Sequence, residues 1–339
     1  MSVSLVFDQV PTPDSAVQAR VRAAMTENPR GASFGRLAAV GAWVAGRQGE
    51  APPRPIQSPR IVVFAGDHGI AARGVSAYTP EASVLQADEI DAGAAPVNTL
   101  ARIADAPVEL IRVSLANGAS LIREASGAID VEDAMSDDEF VRAAELGRTV
   151  ADTAIDSGCD LVVVGDVGVG NTTVAAAVIG ALTFTEPVVA VGRGSGINDE
   201  TWKVKVAAVR DAMFRARDVH DDVAEVLRRI SSPDFVAEVA FIAQCAARRT
   251  PVLIDGAFPS AAAYAAERIA PGVREWLLAG QLSPEPCHTV CLKALDLTPV
   301  AALDMTTGQG AGGAAVLPLI TAAVELVADE MSSQDGAEQ

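Results

Sequence analysis

Apolar positions along the chain follow two patterns in turn. From residue 13 to 49 they recur at helical spacing, with Val17, Val21 and Met25 on one stretch and Leu37, Val40, Trp43 and Val44 on the next, broken at "NPRGAS". The proline-rich connector "APPRPIQSPR" (51–60) follows, and the pattern then changes to short β-branched runs: "IVVFAGDHG", "PVELIRVSL" (107–115), "CDLVVVGDVG" (159–168), "PVVAVGRGSG" (187–196) and "TPVLIDGA" (250–257). Alanine-rich helical stretches of a dozen or more residues separate them. Strands alternating with helices predict an α/β fold with a parallel sheet and helices on both faces. After about residue 260 the pattern turns helical through "SAAAYAAERIA", "PCHTVCLKALDL" and "AAVLPLITAAVELVADEM", and the tail "SSQDGAEQ" is expected to fray.

Composition narrows the classes of function. A chain of 339 residues, 50% hydrophobic and 21% charged, is ample for a large core. Its 26 Lys and Arg against 44 Asp and Glu give a formal charge of −18, which repels nucleic acid and anionic membrane surfaces. Alanine and valine are dispersed among charges, so no transmembrane helix is expected, a span needing about 18 uninterrupted apolar residues. Four cysteines, at 159, 245, 287 and 291, form no paired framework, and "MSVSLVFDQVPTPD" lacks the basic and apolar regions of a signal peptide. A cytoplasmic protein is the expectation. Cys287, His288 and Cys291 lie close together, but no second pair stands elsewhere, so no metal is called for.

In parallel sheets, ligands sit beyond the carboxyl ends of the strands. "GDVGVGNTT" (165–173) follows a run of that kind and opens a helix, placing backbone N–H groups and Thr172 or Thr173 where a phosphate could approach. It is no Walker A loop and no well-placed G-x-G-x-x-G, and it also reads as a tight strand-to-helix turn. "VGRGSGINDE" (191–200) repeats the design, and Lys205, about two turns into the following helix, either adds a cation for the same anion or is a solvated helix lysine.

These stretches, with "NPRGASFGRLAAVGAWVAGRQG", "VVFAGDHGIAARGVSAYTPE", "LIDGAFPSAAAYAAE", "SPEPCH" and "TTGQGAGGAAVLPL", resemble the nicotinate-nucleotide:dimethylbenzimidazole phosphoribosyltransferases of cobalamin lower-ligand assembly, in order and over nearly the whole chain. The resemblance implies a Rossmann-like α/β domain over 59–259, a smaller helical domain from 1–58 and 260–339, and a homodimer. It implies transfer of the phosphoribosyl group of nicotinate mononucleotide to a benzimidazole, with no cofactor. By the same likeness Gly168, Gly170, Asn171, Gly194, Gly196 and Lys205 take the phosphoribosyl end, with Ser283 beside the phosphate. Asp166 touches the ribose or nicotinate, or else caps the next helix. Asp67, Ser76, Tyr78, Leu85 and Met305 fall on the acceptor side. His68 is a candidate general base, although the Asp-His-Gly turn also reads as structural.

The departures from the family pattern cluster on that acceptor side. The family's loop reads Leu-Gly-Glu-Gly and its glutamate is taken as the base; here Thr307 and Gln309 stand at the Leu and Glu positions. "EPGH" has become "EPCH", "GGAAIN" reads "GAAPVN" (93–98), and an expected glutamine falls on Leu85, next to Gln86. A carboxamide is no base near neutral pH, so three readings stand: a transferase whose amide oxygen still orients the acceptor, a transferase with a shifted acceptor, or an inactive relative that binds a mononucleotide for regulation. A dinucleotide oxidoreductase is disfavoured because the first strand ends in "GDHG", and a PRPP-dependent transferase because "LVVVGDVGVG" lacks paired acids and a Thr-Gly-Gly loop.

Overall fold

A computed structural model describes residues 5–116 and 120–337. Five parallel strands, β1 (Pro59–Gly66), β2 (Val108–Ser114), β3 (Leu161–Val167), β4 (Val252–Ile254) and β5 (Leu277–Ala279), form one sheet in the order β2-β1-β3-β4-β5. Val, Ile and Leu dominate them because a parallel sheet is covered on both faces, and all seven residues of β3 are buried. Chain order reverses between β1 and β3, which pair in register from Pro59 opposite Leu161 to Ala65 opposite Val167. A crevice opens at such a reversal, beyond the carboxyl ends of the strands.

Successive side chains on a strand point to opposite faces, and this divides the core. Val62, Phe64, Val162, Val164, Val252 and Ile254 face a core shared with helices Asp137–Asp156, Asn171–Thr183, Pro233–Ala247 and Ala257–Ile269. Ile61, Val63, Ala65, Val163 and Leu253 face the other way, onto Val40 and Val44 of helix Arg36–Gln48 and onto Val316, Leu317, Ile320 and Val324 of helix Ala311–Ala337. A third small core joins Val21, Met25, Ala42, Ala45 and Val327, so the two ends of the chain pack on each other. The segment 311–333 is long and apolar enough to cross a membrane by length and composition, contrary to the expectation from dispersed charges, but 56% of its most apolar window is buried inside the protein.

Three segments differ from the sequence reading. "PVVAVGRGSG" holds no strand: Pro187–Ala190 is one short helical turn with proline at its start, Val188 and Val189 are half exposed, and a glycine-rich loop follows. A strand in a sheet covered on both faces would bury both valines. The stretch after 260 contributes a sheet strand, β5, and a two-stranded parallel pair, β6 (Gln281–Leu282) with β7 (Ala301–Ala302). Runs of two or three residues are too short to register as a period. The C-terminal helix runs on to Ala337, where fraying was expected; residues 338–339 lie outside the described residues.

Helices Asp137–Asp156 and Pro233–Ala247 meet at Gly147, where a Cβ would lie 2.0 Å from the Ala237 carbonyl oxygen. A backbone atom cannot yield as a side chain can. Gly147→Ala is expected to lower stability by about 1–3 kcal/mol, the usual cost of overpacking, measured as a lower urea midpoint at unchanged m.

Candidate active site

A cavity of about 620 Å³ lies beyond the ends of β3 and β4, walled by the loops that follow them and roofed by residues 305–312. The β3 loop turns at Gly170, which has φ 97° and caps helix Asn171–Thr183. Gly168 answers a close approach instead, since a Cβ there would sit 2.1 Å from the Gly66 carbonyl oxygen and 2.8 Å from His68 Cε1. Gly168, Gly170, Asn171, Gly194, Gly196, Lys205 and Ser283 all line the cavity.

Lys205 is buried, so it is no solvated helix lysine, and its Nζ donates to Thr172 Oγ1 at 2.7 Å. Burial lowers its pKa, and the nearby Glu285 charge opposes this. A Cβ on Gly194 would lie 3.1 Å from Nζ and 3.0 Å from Thr172 Oγ1, so this amine joins the two glycine loops. The Gly194 N–H donates to Glu285 Oε1 at 2.6 Å. Ser283 Oγ lies 2.9 Å from His288 Nδ1, and the Ser283 N–H donates to that same nitrogen. Burial pushes His288 down to about 4, so the ring is neutral at neutral pH.

At the other end, the roof loop rests on β3. A Cβ at Gly165 would fall 2.2 Å from the Gly310 nitrogen and 2.3 Å from the Gln309 carbonyl carbon. Residues 308, 309 and 310 all take positive φ, at 70°, 62° and 71°, which is unusual for a glutamine. The Gln309 N–H donates to the Asp166 carbonyl at 2.8 Å, while its side-chain Oε1 accepts from the Val97 N–H at 3.5 Å. Val97 is in the first turn of helix Pro96–Ile103, where N–H groups have no partner within the helix. Asp255, after β4, fixes the loop further: Oδ2 accepts from the Gly312 N–H at 2.7 Å, and Oδ1 accepts from Gln281 Nε2 at 3.1 Å. The same Gln281 Nε2 donates to the Met305 carbonyl at 3.1 Å.

Asp166 lines the cavity at the carboxyl end of β3 and is not the helix cap, which is Gly170. Its Oδ2 accepts a short hydrogen bond from Asn171 Nδ2, and Oδ1 makes none among the described residues. Burial pushes the carboxyl up to about 7; the Asn171 bond and His68 oppose this, while the Asp255 and Asp234 charges add to it.

Ser76, Tyr78, Met305 and Gln309 also line the cavity, with the Ser76 hydroxyl 3.0 Å from Ser195 Oγ of the second glycine loop. Two expected residues do not. Asp67 turns away, its Oδ2 accepting from the Ala116 N–H at 2.9 Å and its backbone bonded to Ser114 and Ser126, so it closes the end of β1. Leu85, on helix Ala82–Asp91, is 63% exposed, and its neighbour Gln86 faces the cavity. Ser83 sets this rotation: its hydroxyl accepts from the Val169 N–H at 2.9 Å, and the side chain three residues on shares its face. Asp255, Glu285 and Gln281 were missed as site residues, although the acids stand in "LIDG" and "SPEP", which follow strands.

His68 stands outside the cavity lining, with Nδ1 3.1 Å from the Val169 carbonyl and Nε2 3.1 Å from Asp234 Oδ2. Burial would lower its pKa, but the Asp234 carboxylate and the Val169 carbonyl raise it overall. Both nitrogens are engaged, so the ring ties β1 to helix Pro233–Ala247. His68→Ala would leave Asp234 buried without its partner, and a loss of about 3–5 kcal/mol is expected in urea unfolding.

The family model DBI_PRT, described as Phosphoribosyltransferase, matches residues 10–338. The nicotinate-nucleotide–dimethylbenzimidazole phosphoribosyltransferase of Corynebacterium efficiens is 51% identical over 335 residues, 97% of this chain and 91% of that protein. The enzyme of that name from Corynebacterium glutamicum is 48% identical, over 96% of this chain and 92% of its own length. Among solved structures, CobT from Thermus thermophilus superposes with a TM-score of 0.85 at 34% identity, covering 92% of this chain and 96% of its own.

Proposed function

The chain belongs to the phosphoribosyltransferase family matched over residues 10–338, and we propose that it moves the phosphoribosyl group of nicotinate mononucleotide onto 5,6-dimethylbenzimidazole or a related heterocycle, releasing nicotinate. The observation that carries this reading is the convergence of two glycine loops, one buried lysine and a cleared glycine turn on one cavity. About 620 Å³ is within the range of small-molecule sites.

The phosphate end follows from charge. The two glycine loops, through the amides of Gly170 and of the 194–195 turn, hold the 5′-phosphate as an anion with Lys205, with Thr172 orienting the amine and Ser283 beside it. Glu285 then leaves the Gly194 N–H for the phosphate to take. The acceptor ring lies flat under the roof, where Gly308 and Gly310 give clearance and Tyr78, Ser76, Gln86 and Met305 supply stacking and polar contacts. Displacement at the anomeric carbon passes through an oxocarbenium-like state, so the cavity must align donor and acceptor and exclude water. A homodimer in the cytoplasm completes this reading, and sedimentation equilibrium tests the first part.

Incubation with nicotinate mononucleotide and a panel of benzimidazoles and purines tests the reaction, with nicotinate release as the readout. Retained mononucleotide binding without release from any acceptor overturns the proposal in favour of a binding protein. Lys205→Met keeps the stem and removes the charge-assisted bonds. It is expected to raise the KM for the mononucleotide by about 10- to 100-fold, checked by steady-state kinetics.

A further inference from the structure

The reaction leaves a proton to be placed. The lone pair of the acceptor's imine-type nitrogen forms the new bond to the anomeric carbon as the bond to nicotinate breaks, its electron pair going to the pyridine nitrogen. Positive charge arrives on the acceptor ring, and the proton on its other nitrogen must leave. Gln309 cannot take it, since a carboxamide is no base near neutral pH. Its Oε1 already accepts from Val97, so it is the Nε2 donor that stays free of hydrogen bonds among the described residues.

The other candidates fall away on geometry. Both oxygens of Asp255 are bonded, to Gln281 and Gly312. Glu285 has Oε2 unbonded among the described residues, but it stands at the phosphate end, where its Oε1 accepts from the Gly194 N–H beside Lys205. Glu89 is exposed to water. His68 has both nitrogens engaged and does not line the cavity. Asp166 lines the cavity with one oxygen anchored by Asn171 and the other unbonded, and its backbone carbonyl accepts from the Gln309 N–H, so both side chains issue from one point.

We infer that Asp166 accepts the heterocycle's N–H proton on Oδ1, a catalytic role that rests on the transfer reaction proposed above. On product release the proton passes to water. The groups that bear on this carboxyl are His68 at the end of β1, Asp234 and Glu238 on helix Pro233–Ala247, and Asp255 after β4. Across the cavity, Lys205 and Glu285 face it from the phosphate end. With the carboxyl pushed up to about 7, the base form is present above that pH and lost below it.

The test is nicotinate release with dimethylbenzimidazole as a function of pH, in wild type, Asp166→Asn, and Asp166→Asn with Gln309→Glu. Wild type is expected to lose rate as pH falls through about 7. Asp166→Asn should lose about 10²- to 10⁴-fold in kcat, with the acid limb abolished. Adding Gln309→Glu should recover at least about tenfold by putting a carboxylate back beside the ring. An Asp166→Asn protein with wild-type rate overturns the inference. So does a wild-type profile flat from about pH 6 to 8, which needs no variant to fold. Absence of release in wild type defeats the transfer reading instead, so the two failures are distinct.

Discussion

The contact on which the site depends is the seating of the Gln309–Gly310 backbone on Gly165 of β3. Any side chain at 165 would enter the backbone of 309 and 310. The approach places the C-terminal loop over the sheet where chain order reverses, and the Gln309 N–H to the Asp166 carbonyl holds it. Three consecutive left-handed residues are the conformational cost, offset by the bonds from Asp255 and Gln281 to the same loop. Helix Ala311–Ala337 leaves from this point and packs with helices near the N-terminus. The roof of the cavity is thus built from the far end of the chain.

Beneath the site lies a dense set of carboxyls with one imidazole. Asp234 is paired with His68, and Asp255 is satisfied by an amide and a backbone N–H. Among the described residues Glu238 has no hydrogen-bond partner on either oxygen, and burial pushes its carboxyl well up, toward the neutral acid. Asp166 sits between these extremes, buried and half satisfied. Like charges in a low-dielectric site cannot all ionise together. The glycines at 66 and 168 belong to this arrangement, since a Cβ at Gly66 would enter the Asp234 carboxylate and one at Gly168 would press on His68.

Much of this was legible in the sequence, for physical reasons that also explain the rest. The strand ending in "GDVGVGNTT" is long, β-branched and followed by glycines at a turn and a close approach, so period and punctuation agreed. The segment around Pro187 carried the same residue types, but four residues after a proline can close a helical turn as well as a strand, and nothing local decides between them. Strand β5 is three residues long and owes its state to pairing with β4, a tertiary contact no local pattern encodes. The choice between Leu85 and Gln86 turned on helix rotation, which the Ser83 bond to Val169 sets across more than eighty residues.

The amide at 309 has a physical logic of its own. A carboxylate there would add a like charge beside Asp166 and Asp255, both of which burial already pushes up, the Asp255 charge adding to the cost at Asp166. Helix Pro96–Ile103 would favour that charge through its Val97 N–H, which has no partner within the helix, drawing ionisation toward 309 and pushing Asp166 further up. Gln309 satisfies the same donor without charge. Asp166, buried with one oxygen unbonded among the described residues, can then ionise near neutrality.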